Sequence, residues 1–169
     1  MAPARPQRKS LNRPQAWRTL LALALAGLVS PTVPAPAATT ERVVVDWHTG
    51  LALYGYDPVA YFTDAKPVMG RPEAEYSFAG AIWRFRNEGN RAAFADHADV
   101  YMPRYGGYDP IAIVRQVAAP GHPDLWLINH DRLYFFASAA SRDAFAADPA
   151  TAVAAAEARW PSVMAGLVP

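Results

Sequence analysis

Apolar and polar positions along this chain predict two pairs of short strands. Residues 76–78 and 82–85 are rich in aromatic and β-branched residues, and the Ala-Gly-Ala turn between them predicts a hairpin. Residues 125–128 and 133–136 repeat the pattern and predict a second hairpin, joined through residues 129–132. The sequence therefore predicts two separate hairpins in the second two thirds of the chain.

A helix is predicted after each hairpin. Asn87 is a suitable N-cap for a helix over residues 91–96, with Phe94 on its buried side. Ser138 is the corresponding N-cap for a helix that contains residues 142–145. Elsewhere the pattern predicts a strand at 43–45, a surface loop at 64–75 and a closing Ala-rich helix at 150–160, which Pro161 stops.

A Gly-Tyr-Asp-Pro motif occurs once before each hairpin. We call residues 54–62 the first corner motif and residues 105–113 the second corner motif. Glycine permits a turn with positive φ, aspartate can bond nearby backbone, and proline presets the next φ angle. Asp57 and Asp109 are 52 residues apart, so the motif predicts a corner that the fold uses twice.

The two predicted hairpin-plus-helix segments align with nearly the same offset as the corner motifs. Placing Arg91 over Arg142 gives an offset of 51 and puts Phe94 over Phe145. Two independent landmarks that agree indicate an internal duplication. We therefore predict an α+β fold in which two pseudo-repeated β-hairpin-plus-helix units form one small domain.

Charge is distributed unevenly along the 169 residues. Five of the 16 basic residues precede the first acidic residue, Glu41, so the rest carries 11 basic against 15 acidic residues, a net charge of −4. An acidic body argues against a nucleic-acid partner. The basic start, the apolar run at 20–29 and the small residues at 35–37 predict a signal peptide over 1–37, cleaved near 37/38.

Export follows from that prediction, so we expect a periplasmic or secreted protein with a lead-in segment at 38–49 and a domain at 50–163. An uncleaved N-terminal segment is the alternative, and it would be the protein's only tie to a membrane. The chain has no cysteine. It therefore lacks disulfides, thiolate metal ligands and thiol redox chemistry.

Several segments in one order resemble the YHS-domain family, in its exported single-domain branch of YHS-domain (seleno)proteins. They are residues 55–62, 83–85, 90–94, 101–108, 133–134 and 158–161. The resemblance covers roughly residues 50–163. It implies a small exported domain, but no common reaction.

Two departures limit what this resemblance implies. The family places Cys or selenocysteine after the Tyr-Gly-Gly-Tyr segment, where this chain has Asp109. Metal-binding relatives place two Cys around the helix start, where this chain has Arg86 and Asn90 in one unit, and Ala137 and Ser141 in the other. The chalcogen chemistry and the metal knuckle of those relatives are therefore not expected here.

Candidate ligand-binding residues lie in and near the two corner motifs. Clustered tyrosines offer stacking faces and hydroxyl groups, a close pair of aspartates could do acid–base work or hold a hard cation, and a nearby histidine could approach that pair. The candidates are Tyr56, Asp57, Tyr61, Tyr105, Gly106, Gly107, Tyr108, Asp109 and His48. The alternative is structural: each aspartate anchors its own turn and each tyrosine fills the core.

No spacing among the four histidines proposes a metal site, and no nucleophile elbow, phosphate loop or dinucleotide fingerprint is present. We expect a non-enzymatic module that binds a small molecule or a metal ion. The alternatives are a redox or enzyme accessory, and a structural domain that docks onto a protein partner. Met69, Met102 and Met164 are scattered in sequence, so we expect no tight soft-metal binding.

Overall fold

A computed structural model describes Met1 and residues 42–167, and the latter lie within one compact unit, Ala35–Pro169. The described residues form an α+β fold, as predicted. Its helices and strands are α1 (Ala60–Thr63), β1 (Arg71–Phe78), β2 (Ala81–Phe85), α2 (Glu88–Asp96), α3 (Ala98–Tyr101), α4 (Pro110–Val114), β3 (His122–Asn129), β4 (Arg132–Phe136), α5 (Ala139–Ala147) and α6 (Pro149–Ala165). The predicted signal peptide and its cleavage site lie outside the described residues.

Two halves of the domain contain the same elements in the same order. A 3₁₀ turn precedes each corner helix, at Leu53–Gly55 before α1 and at Arg104–Gly107 before α4. The strands and helix that follow begin 51 residues apart, since β1, β2 and α2 start at 71, 81 and 88, and β3, β4 and α5 at 122, 132 and 139. We call residues 53–96 the first half and residues 104–147 the second half. The equal lengths support the duplication hypothesis.

Each half contains one antiparallel hairpin that forms its own two-stranded sheet. Trp83 pairs with Tyr76 in the first hairpin, and Tyr134 pairs with Leu127 in the second. The register of both hairpins shifts once, between Arg71 and Glu75 and 51 residues later between His122 and Trp126. Positive φ angles at both turn residues, 79–80 and 130–131, suit the right-handed twist of the strands.

Polar caps start the helix that follows each hairpin. The Asn87 side chain accepts a hydrogen bond from the Asn90 amide at 2.8 Å, and Ser138 accepts one from the Ser141 amide at 3.1 Å. Both N-caps were predicted, although α2 begins before residue 91. Phe94 of α2 and Phe145 of α5 are fully buried. Each helix therefore packs on its own hairpin through one phenylalanine.

Two apolar clusters form the core, and the first contains residues from both halves. It places Trp83, Phe85 and Phe94 of the first half with Leu133 and Phe135 of β4. The second cluster surrounds Tyr134, Phe136 and Phe145 and takes in the apolar face of α6. Because β4 contributes alternate residues to the two clusters, it joins the halves into one body.

Three element predictions were wrong. Residues 43–45 form no strand, because only Val45 makes a bridge, to Ala52, while Val43 and Val44 are buried in the core. The predicted loop at 64–75 ends early, because β1 already begins at Arg71 beyond its irregular register. Helix α6 continues through Pro161 to Ala165. The lost backbone hydrogen bond is tolerated there because Val163 and Leu167 pack into the second cluster.

Within the described part of the chain, no helix combines the length and the apolar character needed to cross a membrane.

Candidate functional site

The second corner motif begins with an unusual stretch of backbone. Tyr105, Gly106 and Gly107 all have positive φ angles of 55°, 62° and 94°. A Cβ atom on Gly106 would lie 1.9 Å from the carbonyl oxygen of Arg42, so only glycine fits this close approach. The Gly106 carbonyl accepts a hydrogen bond from the Val44 amide at 2.8 Å. Residues 42–44 are thereby fixed against the second corner motif.

Asp57 is fully buried and accepts four hydrogen bonds. Its Oδ1 accepts from the amides of Val59 and Ala60 at 2.8 and 3.3 Å. Its Oδ2 accepts from the Arg86 amide at 2.9 Å and from Asn90 Nδ2 at 2.6 Å. The carboxylate therefore ties the first corner motif to the start of α2, and its oxygens are occupied by protein donors.

Asp109 has the same position in the second half, with one partner fewer. Its Oδ1 accepts from the amides of Ile111 and Ala112, and its Oδ2 accepts from the Ala137 amide at 3.0 Å. Ser141 stands 51 residues after Asn90, but its hydroxyl bonds Ser138 instead. The hydrogen bonds of each aspartate stay in its own half, which is the structural alternative considered from the sequence.

Tyr61 joins the two halves and offers no open binding surface. Its side chain is 1 % exposed, and its hydroxyl donates a hydrogen bond to the carbonyl of Pro123 at 3.0 Å. Its ring packs edge-on against Trp126 and Phe135. Burial raises the pKa of the Tyr61 hydroxyl far above its ordinary value, so the group stays protonated. Tyr56 is half-buried and forms a backbone bridge with Met69.

An open cavity of about 640 Å³ lies beside the second corner motif. Its lining is mainly apolar and comes from α3, the second corner motif, α6 and the turn between β1 and β2. The lining residues are Arg42, Val43, Ala79, Gly80, Asp99, Met102, Pro103, Arg104, Tyr105, Gly106, Trp160 and Met164. Its volume falls in the range that holds small organic ligands in proteins.

The apolar walls of this cavity are aromatic rings and thioethers. Trp160 of α6 packs edge-on against Tyr105, with ring centroids 5.5 Å apart, and also contacts the ring of Tyr108. Met164 lies one turn further along α6, and Met102 precedes the second corner motif. Aromatic faces and polarizable sulfur atoms are suited to contacts with apolar or aromatic ligands.

An ion pair holds the two principal walls together. Arg104 Nη2 donates to Glu157 Oε1, so it joins the second corner motif to α6. The Arg104 guanidinium also lies over the Tyr105 ring, 5.6 Å from its centroid. Burial, with a smaller contribution from the negative charge of Glu157, raises the pKa of the Tyr105 hydroxyl above its ordinary value. Tyr105 therefore stays protonated, and its hydroxyl donates to Glu157 at 3.4 Å.

Of the nine predicted ligand-binding residues, Tyr105 and Gly106 line this cavity. Gly107, Tyr108 and Asp109 are buried next to it in the chain, while Tyr56, Asp57 and Tyr61 belong to the first corner motif. His48 lies on an exposed turn, where its ring contacts Trp47 at a centroid distance of 3.3 Å. Among the described residues, no contact joins His48 to either aspartate.

Sequence reasoning missed most of the cavity, because its residues come from four separated segments. The closing segment at 158–161 had drawn attention only as part of the family resemblance, yet it supplies Trp160. Met102 and Met164 had been regarded as scattered, and the fold brings both to the same cavity. Because α6 continues past Pro161, Met164 reaches this wall as a helical residue.

Within the part of the chain that the structure describes, no group of three or more His, Asp or Glu side chains could hold a metal ion. No protein-family model, curated protein or solved structure matched this chain. The cavity and its chemistry are therefore the basis for the functional argument.

Proposed function

We propose that this protein is an exported, non-enzymatic binding module that takes a small, largely apolar ligand into the cavity beside the second corner motif. The observation that carries the proposal is the composition of the walls: Trp160, Met102 and Met164 all line one open space of about 640 Å³. Burying apolar ligand surface against such walls releases about 25 cal/mol per Å².

Support also comes from how firmly the walls are held. The backbone of residues 42–44 is bonded to the second corner motif, and the Arg104–Glu157 ion pair ties that motif to α6. A site whose walls are already ordered loses little conformational entropy when a ligand binds. The proposal keeps the YHS-domain resemblance as its family hypothesis and export as its localisation.

A redox or enzymatic accessory role has less support from the geometry. Asp109, which stands at the family's Cys or selenocysteine position, is fully buried and accepts three backbone hydrogen bonds. Its side chain caps α4 and does not line the cavity. The docking alternative rests on exposed apolar side chains, of which Trp47 is the largest at 75 % exposure.

A fluorescent probe titration tests the proposed function. N-phenyl-1-naphthylamine is neutral and apolar, and its emission rises in an apolar environment. We expect saturable binding to the purified protein at one site, and a loss of at least about tenfold in affinity when Met164→Trp fills the cavity.

Met69→Trp is the matched control, because Met69 is exposed and lies outside the cavity. That variant should bind the probe as the unmodified protein does. Equal binding by the Met164→Trp and unmodified proteins, with both folded by circular dichroism, would place the probe elsewhere and contradict the proposal.

A further inference from the structure

Two side chains of opposite charge line the cavity and have no ion-pair partner among residues 42–167. Arg42 lies where the chain meets the second corner motif, and Asp99 lies in α3. Both are exposed, and the salt bridges of the described residues include neither of them. Arg132 donates to the backbone carbonyl of Asp99, which leaves the carboxylate itself unpaired.

Arg104, the other charged lining residue, is different. Its guanidinium pairs with Glu157 and lies over the Tyr105 ring, so its charge is already compensated inside the protein. An incoming ligand therefore meets one uncompensated positive group and one uncompensated negative group beside an apolar wall. The two groups do not neutralise each other through an ion pair.

From this arrangement we infer that the ligand is a zwitterionic aromatic molecule of about dipeptide size. Its anionic group lies at Arg42, its cationic group lies at Asp99, and its aromatic part packs against Trp160, Met102 and Met164. This inference rests on the proposed function and adds the charge pattern of the ligand. A ligand with a single charge would meet one like charge at the rim, which is unfavourable.

Four versions of one dipeptide test the charge pattern by isothermal titration calorimetry. Phe-Phe is zwitterionic, N-acetyl-Phe-Phe is anionic, Phe-Phe-amide is cationic, and N-acetyl-Phe-Phe-amide is neutral. We expect the zwitterion to bind the most tightly, by about fivefold over each singly charged form, as one exposed ion pair allows.

Two charge-removing variants assign the groups. Arg42→Gln should weaken binding of the zwitterion and the anion and leave the cation and the neutral form unchanged, while Asp99→Asn should weaken the zwitterion and the cation only. Arg115→Gln and Asp131→Asn remove exposed charges outside the cavity and serve as controls that should change nothing.

The possible results separate the inference from the proposal beneath it. Binding of all four forms with equal affinity, or equal weakening of all four by Arg42→Gln and Asp99→Asn, would overturn the zwitterion and leave an apolar ligand site in place. A failure of all four forms to bind while the neutral fluorescent probe binds would also overturn it. If the fluorescent probe fails to bind as well, the proposed function itself is wrong.

Discussion

Asp57 and Asp109 occupy the same position in two corner motifs and accept the same backbone hydrogen bonds. In each case Oδ1 accepts from the amides two and three residues later at 2.8 and 3.3 Å. In each case Oδ2 accepts from the amide that follows the second strand of the hairpin, at Arg86 and at Ala137. The two halves thus use one device to fix a corner to the end of a hairpin.

The halves differ in one donor, which gives the first prediction. Asn90 donates to Asp57, whereas Ser141 makes no bond to Asp109. Asn90→Ala should lower the free energy of unfolding by about 1.5–3 kcal/mol, because a buried carboxylate loses a charge-assisted bond. Ser141→Ala, the matched control, should cost only about 0.5–1.5 kcal/mol. Equal costs in urea denaturation would refute the assigned asymmetry.

The helices after the hairpins give a second prediction. Phe94 and Phe145 are both fully buried, against Trp83 and Phe85 in one half and against Tyr134 and Phe136 in the other. Phe94→Ala and Phe145→Ala should each cost about 3–5 kcal/mol in stability.

Phe78→Ala is the comparison variant for this pair, since its ring is 36 % exposed and its removal leaves a smaller cavity. Its cost should be clearly lower than that of either buried phenylalanine. A cost below about 1 kcal/mol for Phe94→Ala or Phe145→Ala would show that the two halves do not share this core position.

Acid stability supplies a third prediction. Hydrogen bonds from the side chain and amide of Thr151 lower the pKa of Asp148, the N-cap of α6, below its ordinary value of 3.8. A lowered pKa contributes stability that is present above pH 3.8 and is lost as the pH falls through the lower pKa of the folded state.

Asp148→Asn keeps an N-cap but cannot titrate. Between about pH 5 and pH 2 the variant should therefore lose less stability than the unmodified protein in thermal unfolding. Parallel losses for the two proteins across that range would argue against this titration.

Copper binding is the fourth prediction. The fold brings Met102 and Met164 to one cavity, but Met69 lies elsewhere and the chain has no cysteine. Because Cu(I) prefers thiolate ligands or several thioethers, we expect no sub-micromolar affinity in a competitive titration with a Cu(I) chelator. Tight binding that Met102→Leu abolishes would contradict this expectation.

The repeated device could be predicted from the sequence because it is local. Asn87 and Ser138 are capping residues next to the helices they start, and the Gly-Tyr-Asp-Pro motif contains the turn chemistry of both corners. The hairpins were predictable for the same reason, since strand and turn residues are neighbours in the chain.

The cavity could not be predicted, because it depends on packing between distant segments. Trp160 and Met164 reach it only because α6 continues through Pro161, against the local preference of proline. The tyrosines that led to a predicted site are mostly used elsewhere, as Tyr61 is in joining the halves through Pro123. Composition could suggest an aromatic site, but only tertiary packing determined which aromatic side chains line it.

Native mass spectrometry tests the central claim, that the cavity beside the second corner motif holds a small ligand, most directly. The protein is purified under mild conditions from cells that export it, beside Met164→Trp and Met69→Trp. We predict a bound small molecule on the unmodified and Met69→Trp proteins and its absence from Met164→Trp. A ligand that all three proteins retain equally, or protein without any ligand in all three, would contradict the claim.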